Sequence, residues 1–101
     1  MSEKNSRLTV GRKVGTSVFL NETCEVKVVA TSSRKANLKI FKDGNLCQEG
    51  WFPTGTIFEV EPMDDVFIGI TYAGRSQTKL TFIAPREVVI RRDDSKAHVV
   101  P

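Results

Sequence analysis

Two pairs of adjacent cations lie near opposite ends of this 101-residue chain: Arg12-Lys13 and Arg91-Arg92. A guanidinium offers five donors in a planar fork that matches phosphate or a guanine edge, and an ammonium adds a compact point charge. Groups of this kind grip anions and break no bonds. Each pair also has a plainer reading. Arg91-Arg92 is followed by Asp93-Asp94 and could be a self-compensating surface cluster, and Arg12-Lys13 could be a charged strand edge that resists aggregation. The stretch "EVVIRR" (87–92) argues for more. Successive side chains of a strand point to opposite faces, so Arg92 shares a face with Val88 and Ile90, and Arg91 shares the other with Val89. Both faces are charged at one end, whereas solvation needs only one polar face.

Other chemistries are poorly served. The single histidine, His98, has no acid partner nearby in sequence, and neither Cys24 nor Cys47 has a neighbouring base. Asp64-Asp65 and Asp93-Asp94 are adjacent rather than facing, and no Gly-rich phosphate loop precedes a helix. We therefore expect no enzyme, no cofactor, no structural metal and no small-molecule substrate. Two cysteines make no disulfide framework and read as reduced thiols. The polar start "MSEKNSRLTV" is no signal peptide, and the longest apolar runs fall far short of a membrane span, so a cytoplasmic protein without membrane contact is expected. Net charge is +3, made up of +3 in residues 1–20, −1 in 21–63 and +1 in 64–101. The basic excess is thus terminal, where it could meet phosphate.

The elements that must position these cations are strands. Alternation marks "RLTV", "TSVFL", "CEVKVVAT", "ANLKIF", "TIFEVE", "DVFIGITYA", "TKLTF" and "EVVIRR", separated by turn residues such as Asp43-Gly44-Asn45 and Gly74 to Ser76. In "DVFIGITYA", Val66, Ile68, Ile70 and Tyr72 fall on one face, with Tyr72 half-buried. Trp51 and Phe52 read as core, and Arg34-Lys35 as a solvated hairpin tip. Only the tail from Asp93 could start a helix, and it lacks an amphipathic face. At an offset of 42, "CEVKVVATSSRKANLKIF" (24–41) overlays "VFIGITYAGRSQTKLTFI" (66–83), a match that any two hairpins with equal loops would also give.

The two ends carry a resemblance. "LTVGRKVGTSVFL" (8–20) resembles the first strand and turn of the carbon storage regulator (CsrA/RsmA) family of RNA-binding translational regulators. "DDVFIGITYAGRSQTKLTFIAPREVVIRRDD" (64–94) resembles the rest of that family's core, most specifically in Ala84-Pro85, Glu87-Val88, Ile90 and Arg92 followed by two aspartates. Together these stretches cover about 44 of 101 residues; residues 21–63 have no counterpart and read as an insert at a hairpin tip, adding three strands to a single domain. Lys13 stands where the family has a second arginine, Gly11 replaces a residue with a side chain, and the stretch after Asp94 is expected to lack the family's C-terminal helix.

The resemblance implies an all-β, strand-swapped homodimer of small antiparallel sheets, in which the first strand of one chain lies beside the last strand of the other. It implies RNA contacts from Val10, Arg12 and Lys13 on the first strand and from Ala84, Pro85, Ile90, Arg91 and Arg92 at the other end. The ligand would be GGA-bearing loops of an mRNA leader or a small regulatory RNA. The alternative is a β-rich protein-interaction module, or a decoy that heterodimerises with a regulator of this type and binds no RNA itself.

Overall fold

The computed structural model describes residues 5–93; Asp94, His98 and the rest of the tail beyond Asp93 lie outside the described residues. Among the described residues nine strands follow in order: β1 Asn5–Lys13, β2 Ser17–Leu20, β3 Cys24–Ser32, β4 Lys35–Lys42, β5 Asn45–Pro53, β6 Ile57–Glu59, β7 Phe67–Gly74, β8 Gln77–Pro85 and β9 Ile90–Arg92. No helix long and apolar enough to cross a membrane occurs among the described residues. The protein is all-β, with two antiparallel sheets: β1-β8-β7-β6 and β5-β4-β3-β2-β9.

Alternation produces the core. Cys24, Val26 and Val28 on β3, Ala36, Leu38 and Ile40 on β4, Ile68 and Ile70 on β7, and Leu80, Phe82 and Ala84 on β8 all point between the sheets. β7 packs across β3 and β4 and joins the two layers. Burying this apolar face is the main driving force for the fold.

The two sheets repeat one another. β3 and β4 correspond to β7 and β8 at an offset of 42, and the agreement goes beyond loop length. The β3–β4 ladder slips between Val28 and Ala30, and the β7–β8 ladder slips between Ile70 and Tyr72. The hairpin tips each hold one residue with positive φ, Arg34 at 69° and Ser76 at 59°. Two shorter turns match at an offset of 40. Gly15 N–H donates to Val28 O at 2.7 Å, and Gly55 N–H donates to Ile70 O at 2.8 Å. Both glycines sit at φ 95°, a conformation that a β-carbon would strain. On this correspondence β5 is the equivalent of β1, and β6 of β2.

The equivalent first strands are exchanged between the halves. β1 leaves its own half and pairs with β8 along Asn5↔Pro85 to Lys13↔Gln77. β5, which begins the second half, pairs back onto β4 from Lys35↔Pro53 to Lys42↔Asn45. Residues 21–63 therefore do not hang from a hairpin tip. They hold β3 to β6, four strands rather than the three expected, and build most of the five-stranded sheet. The bulge also alters one face assignment: beyond the slip at Ile70, Tyr72 turns outward at 45% exposure and Ala73 turns inward. An extra residue reverses every side chain after it.

Because Thr9 and Thr81 face each other, with their hydroxyl oxygens 2.8 Å apart, they offer a direct test of pairing within one chain. Thr9→Cys with Thr81→Cys, in a Cys47→Ser background, is expected to oxidise to an intrachain disulfide that runs as a monomer on non-reducing gels. A covalent dimer would show that β1 pairs with another copy.

Candidate nucleic-acid interface

β1 ends one sheet and β9 ends the other, and among the described residues neither has a strand on its outer side. The two edges face one another across a groove of about 300 Å³ lined by Leu8 to Gly11 and by Ile90, Arg91 and Arg92. The first and last strands, expected side by side across two chains, here face each other across a groove within one chain, β1 paired with β8 and β9 with β2.

One polar node fixes that meeting. Arg12 on β1 is only 6% exposed, although it is charged. Its Nη1 donates to Ser17 O and to Asp93 Oδ1, each at 2.9 Å, and its Nε donates to Gly11 O at 2.9 Å. The other Asp93 oxygen accepts from Ser17 N–H at 2.8 Å, and Asp93 N–H returns a bond to Ser17 O at 3.0 Å. Ser17 Oγ then donates to Glu25. One guanidinium therefore ties β1 to β2 and to the residue after β9. Among the described residues no buried side-chain nitrogen or oxygen lacks a partner, which is the condition under which such a network is tolerated in a core.

Arg91 is also engaged. Its Nε and Nη2 grip the two carboxylate oxygens of Glu22, and its guanidinium carbon lies 4.9 Å from the Phe19 ring centroid. The hydrogen bond to Glu22 raises its pKa above the ordinary arginine value. This pair and the Asn21 side chain, which accepts from Val89 N–H at 2.8 Å, seat the short β9 on β2.

The expected contact residues therefore separate. Lys13 and Arg92 are exposed. Ile90 and Pro85 are half-buried, with Ile90 on the groove wall. Val10, Arg12 and Ala84 are buried: Val10 and Ala84 point into the core because alternation puts them on the inner face, and Arg12 shares that face with Val10. Their side chains are turned away from a surface ligand. Sequence reasoning did not mark Leu8, which lines the groove at 44% exposure, or Asp93 as the partner of Arg12. The acidic signal after Arg92 was visible in the sequence, but its partner 81 residues away was not.

The equivalent place in the other half is closed. No strand lies beyond β6 among the described residues, and β5 carries Trp51, Phe52 and Pro53 where β1 has Gly11, Arg12 and Lys13. Phe52 stacks on Phe58 with centroids 3.9 Å apart, at the positions equivalent to Arg12 and Val18 at the offset of 40. The Gln48 side-chain amide donates to Glu59 O at 3.1 Å and accepts from Glu61 N–H at 3.0 Å. It occupies the end of the β6 edge, where a neighbouring strand would otherwise pair.

No family model, curated protein or solved structure matches this chain.

Two outcomes follow from this geometry. Arg12→Ala leaves Asp93, itself 31% exposed, without its cation. It should lower unfolding free energy by about 2–3 kcal/mol in urea titration, below the usual figure for a fully buried pair. Cys24 is buried and Cys47 exposed. Burial pushes the Cys24 pKa up from 9.0 to about 11, against an opposing pull from Lys42. A thiol reagent at pH 8 should label one thiol in the native chain and the second only on unfolding. Because the folded state holds this proton more tightly, stability should fall as pH rises above 9 toward 11.

Proposed function

We propose that the protein is a post-transcriptional regulator of the carbon storage regulator type that binds a GGA-bearing RNA loop in the β1–β9 groove, one RNA per chain. The observation that carries this reading is that two strand edges from opposite ends of the chain face each other in one groove, beside the exposed Arg92 and Lys13. Strand edges present backbone N–H and C=O groups at regular spacing, and these can read the edges of unstacked loop bases. Arg92 is suited to a phosphate or a guanine edge, and Lys13 to a phosphate. Leu8 and Ile90 supply apolar walls. The groove needs no aromatic platform if the hairpin loop brings its own stacking. Binding near a ribosome-binding site would act by occlusion.

The division of labour among the cations supports the same reading. Arg12 and Arg91 build the groove through Asp93 and Glu22, while Lys13 and Arg92 are exposed beside it. The closed β5–β6 side argues for a single site. A decoy that exchanges strands with another regulator would have to strip β1 from β8, so the completed β1–β8 pairing favours RNA over that alternative.

Titration with a GGA hairpin at physiological salt should show saturable binding with one RNA per chain. Arg92→Ala should weaken it by about ten- to a hundredfold, and Lys13→Ala should flatten the salt dependence by about 0.7–0.9 in log–log slope. Absence of binding, or binding indifferent to both changes, would refute the reading. Arg12→Ala is unsuitable for this test because it alters the node itself.

A further inference from the structure

We infer that the pole formed by the two hairpin tips is a second RNA surface, which holds single-stranded nucleotides flanking the loop seated in the groove; this rests on the RNA reading above. The first observation is charge segregation. Lys13, Arg34, Lys35, Arg75 and Lys79 lie at or just below the tips, while residues 13–16, 31–35, 51–56 and 71–79 include no aspartate or glutamate. The opposite pole, beyond the other strand ends, holds Glu22, Asp43, Glu61, Asp64, Asp65 and Glu87 with Lys42 and Arg86 among them. A pole with cations and no carboxylate draws a polyanion.

The second observation is rigidity. Arg34 N–H donates to Ala73 O at 3.3 Å, Thr54 N–H donates to Arg34 O at 2.8 Å, and Val14 N–H donates to Ser76 O at 3.0 Å. The tips of both sheets and the turns after β1 and β5 are thus hydrogen-bonded into one platform. Arg34 and Arg75 share a hollow with Thr31, Ser32 and Ser33, and Arg34 also borders a second hollow with Tyr72, Pro53 and Thr54.

The third observation concerns Tyr72. The bulge turns it to the surface, and its ring lies across Gly74, where a β-carbon would come within 2.3 Å of Oη. A side chain there would push the ring aside; with glycine the ring rests in place, 45% exposed beside Arg34. Lys35 lies 5.4 Å from the ring centroid of a second exposed aromatic, Trp51. Rings paired with cations are what single-stranded nucleic acid uses, with bases stacking on the rings and phosphates on the cations. An acidic peptide would use the cations and leave the rings idle. The tip pole also continues from the groove, because β1 ends at Lys13 and the next residue bonds to Ser76, beside Arg75.

The test compares three probes by fluorescence anisotropy: a blunt GGA hairpin, the same hairpin with an eight-nucleotide single-stranded extension, and the extension alone. The extension should tighten hairpin binding about tenfold. Tyr72→Ala, and Arg34→Ala with Arg75→Ala, should remove that gain while leaving blunt-hairpin affinity unchanged, and Tyr72→Phe should retain it. Circular dichroism and thermal unfolding should show that these surface variants stay folded. No gain from the extension, or a gain that survives Tyr72→Ala, overturns the inference while the groove reading stands. Binding of the extension alone with Tyr72 dependence, without hairpin binding, supports the tip surface and sinks the groove. Equal competition by polyglutamate, indifferent to Tyr72→Ala, marks a general anion surface and overturns it, as does failure of every probe to bind.

Discussion

The groove depends on a single guanidinium placed between two sheets. Arg12 comes from the edge of one sheet and bonds to Ser17 and Asp93 in the other. β9 has three residues and, among the described residues, pairs only with β2, so its own ladder is a weak tether. The Asp93 carboxylate, held by Arg12 and by the Ser17 amide, fixes the end of that strand opposite β1. A buried ion pair adds little net stability, because desolvation offsets most of the attraction. Its effect here is geometric: it allows one arrangement of the two edges and penalises the others by leaving a charge unpaired.

The same scaffold is used twice with different endings. Where one half has Arg12 and an added strand, the other has Phe52 against Phe58 and the Gln48 amide on the β6 edge. An aromatic stack fills by dispersion what the polar node fills by charge. A two-fold scaffold that closes one of its sites in this way becomes directional, with one open side and one sealed side. The segregation of charge between the hairpin-tip pole and its opposite runs along a different axis, so the molecule is polar in two senses.

Much of the architecture was legible in the alternation of apolar residues. The inner faces of β3, β4 and β8 fall where the period of two puts them, because both sheets bury one face. β5 was not legible: its inward positions are Gln48, Gly50 and Phe52, and an edge strand with so few buried side chains carries no clear pattern. The bulges were invisible for a related reason. Reading "DVFIGITYA" as one uninterrupted strand places Tyr72 beside Ile70, and nothing in the local sequence marks the slip that turns it out. Of the candidate site, the resemblance implied that first and last strands meet, but between two chains; that their edges face each other within one chain was not legible. Nor was the burial of Arg12, since it hinges on a carboxylate 81 residues away.

The exchange of first strands has a consequence for the order of assembly. β5 follows β4 through the short turn at Asp43-Gly44 and can close on it as soon as both exist. β1 finds its partner 72 residues downstream, at the Thr9–Thr81 contact. Non-local pairings of this kind are slow because loop closure must precede any reward. On a ribosome, where the N-terminal portion emerges first, β1 would wait until β8 had been translated. Through that interval its apolar Leu8 and Val10 remain uncovered, and the neighbouring Arg7, Arg12 and Lys13 are the charges that keep the nascent segment from sticking to its neighbours.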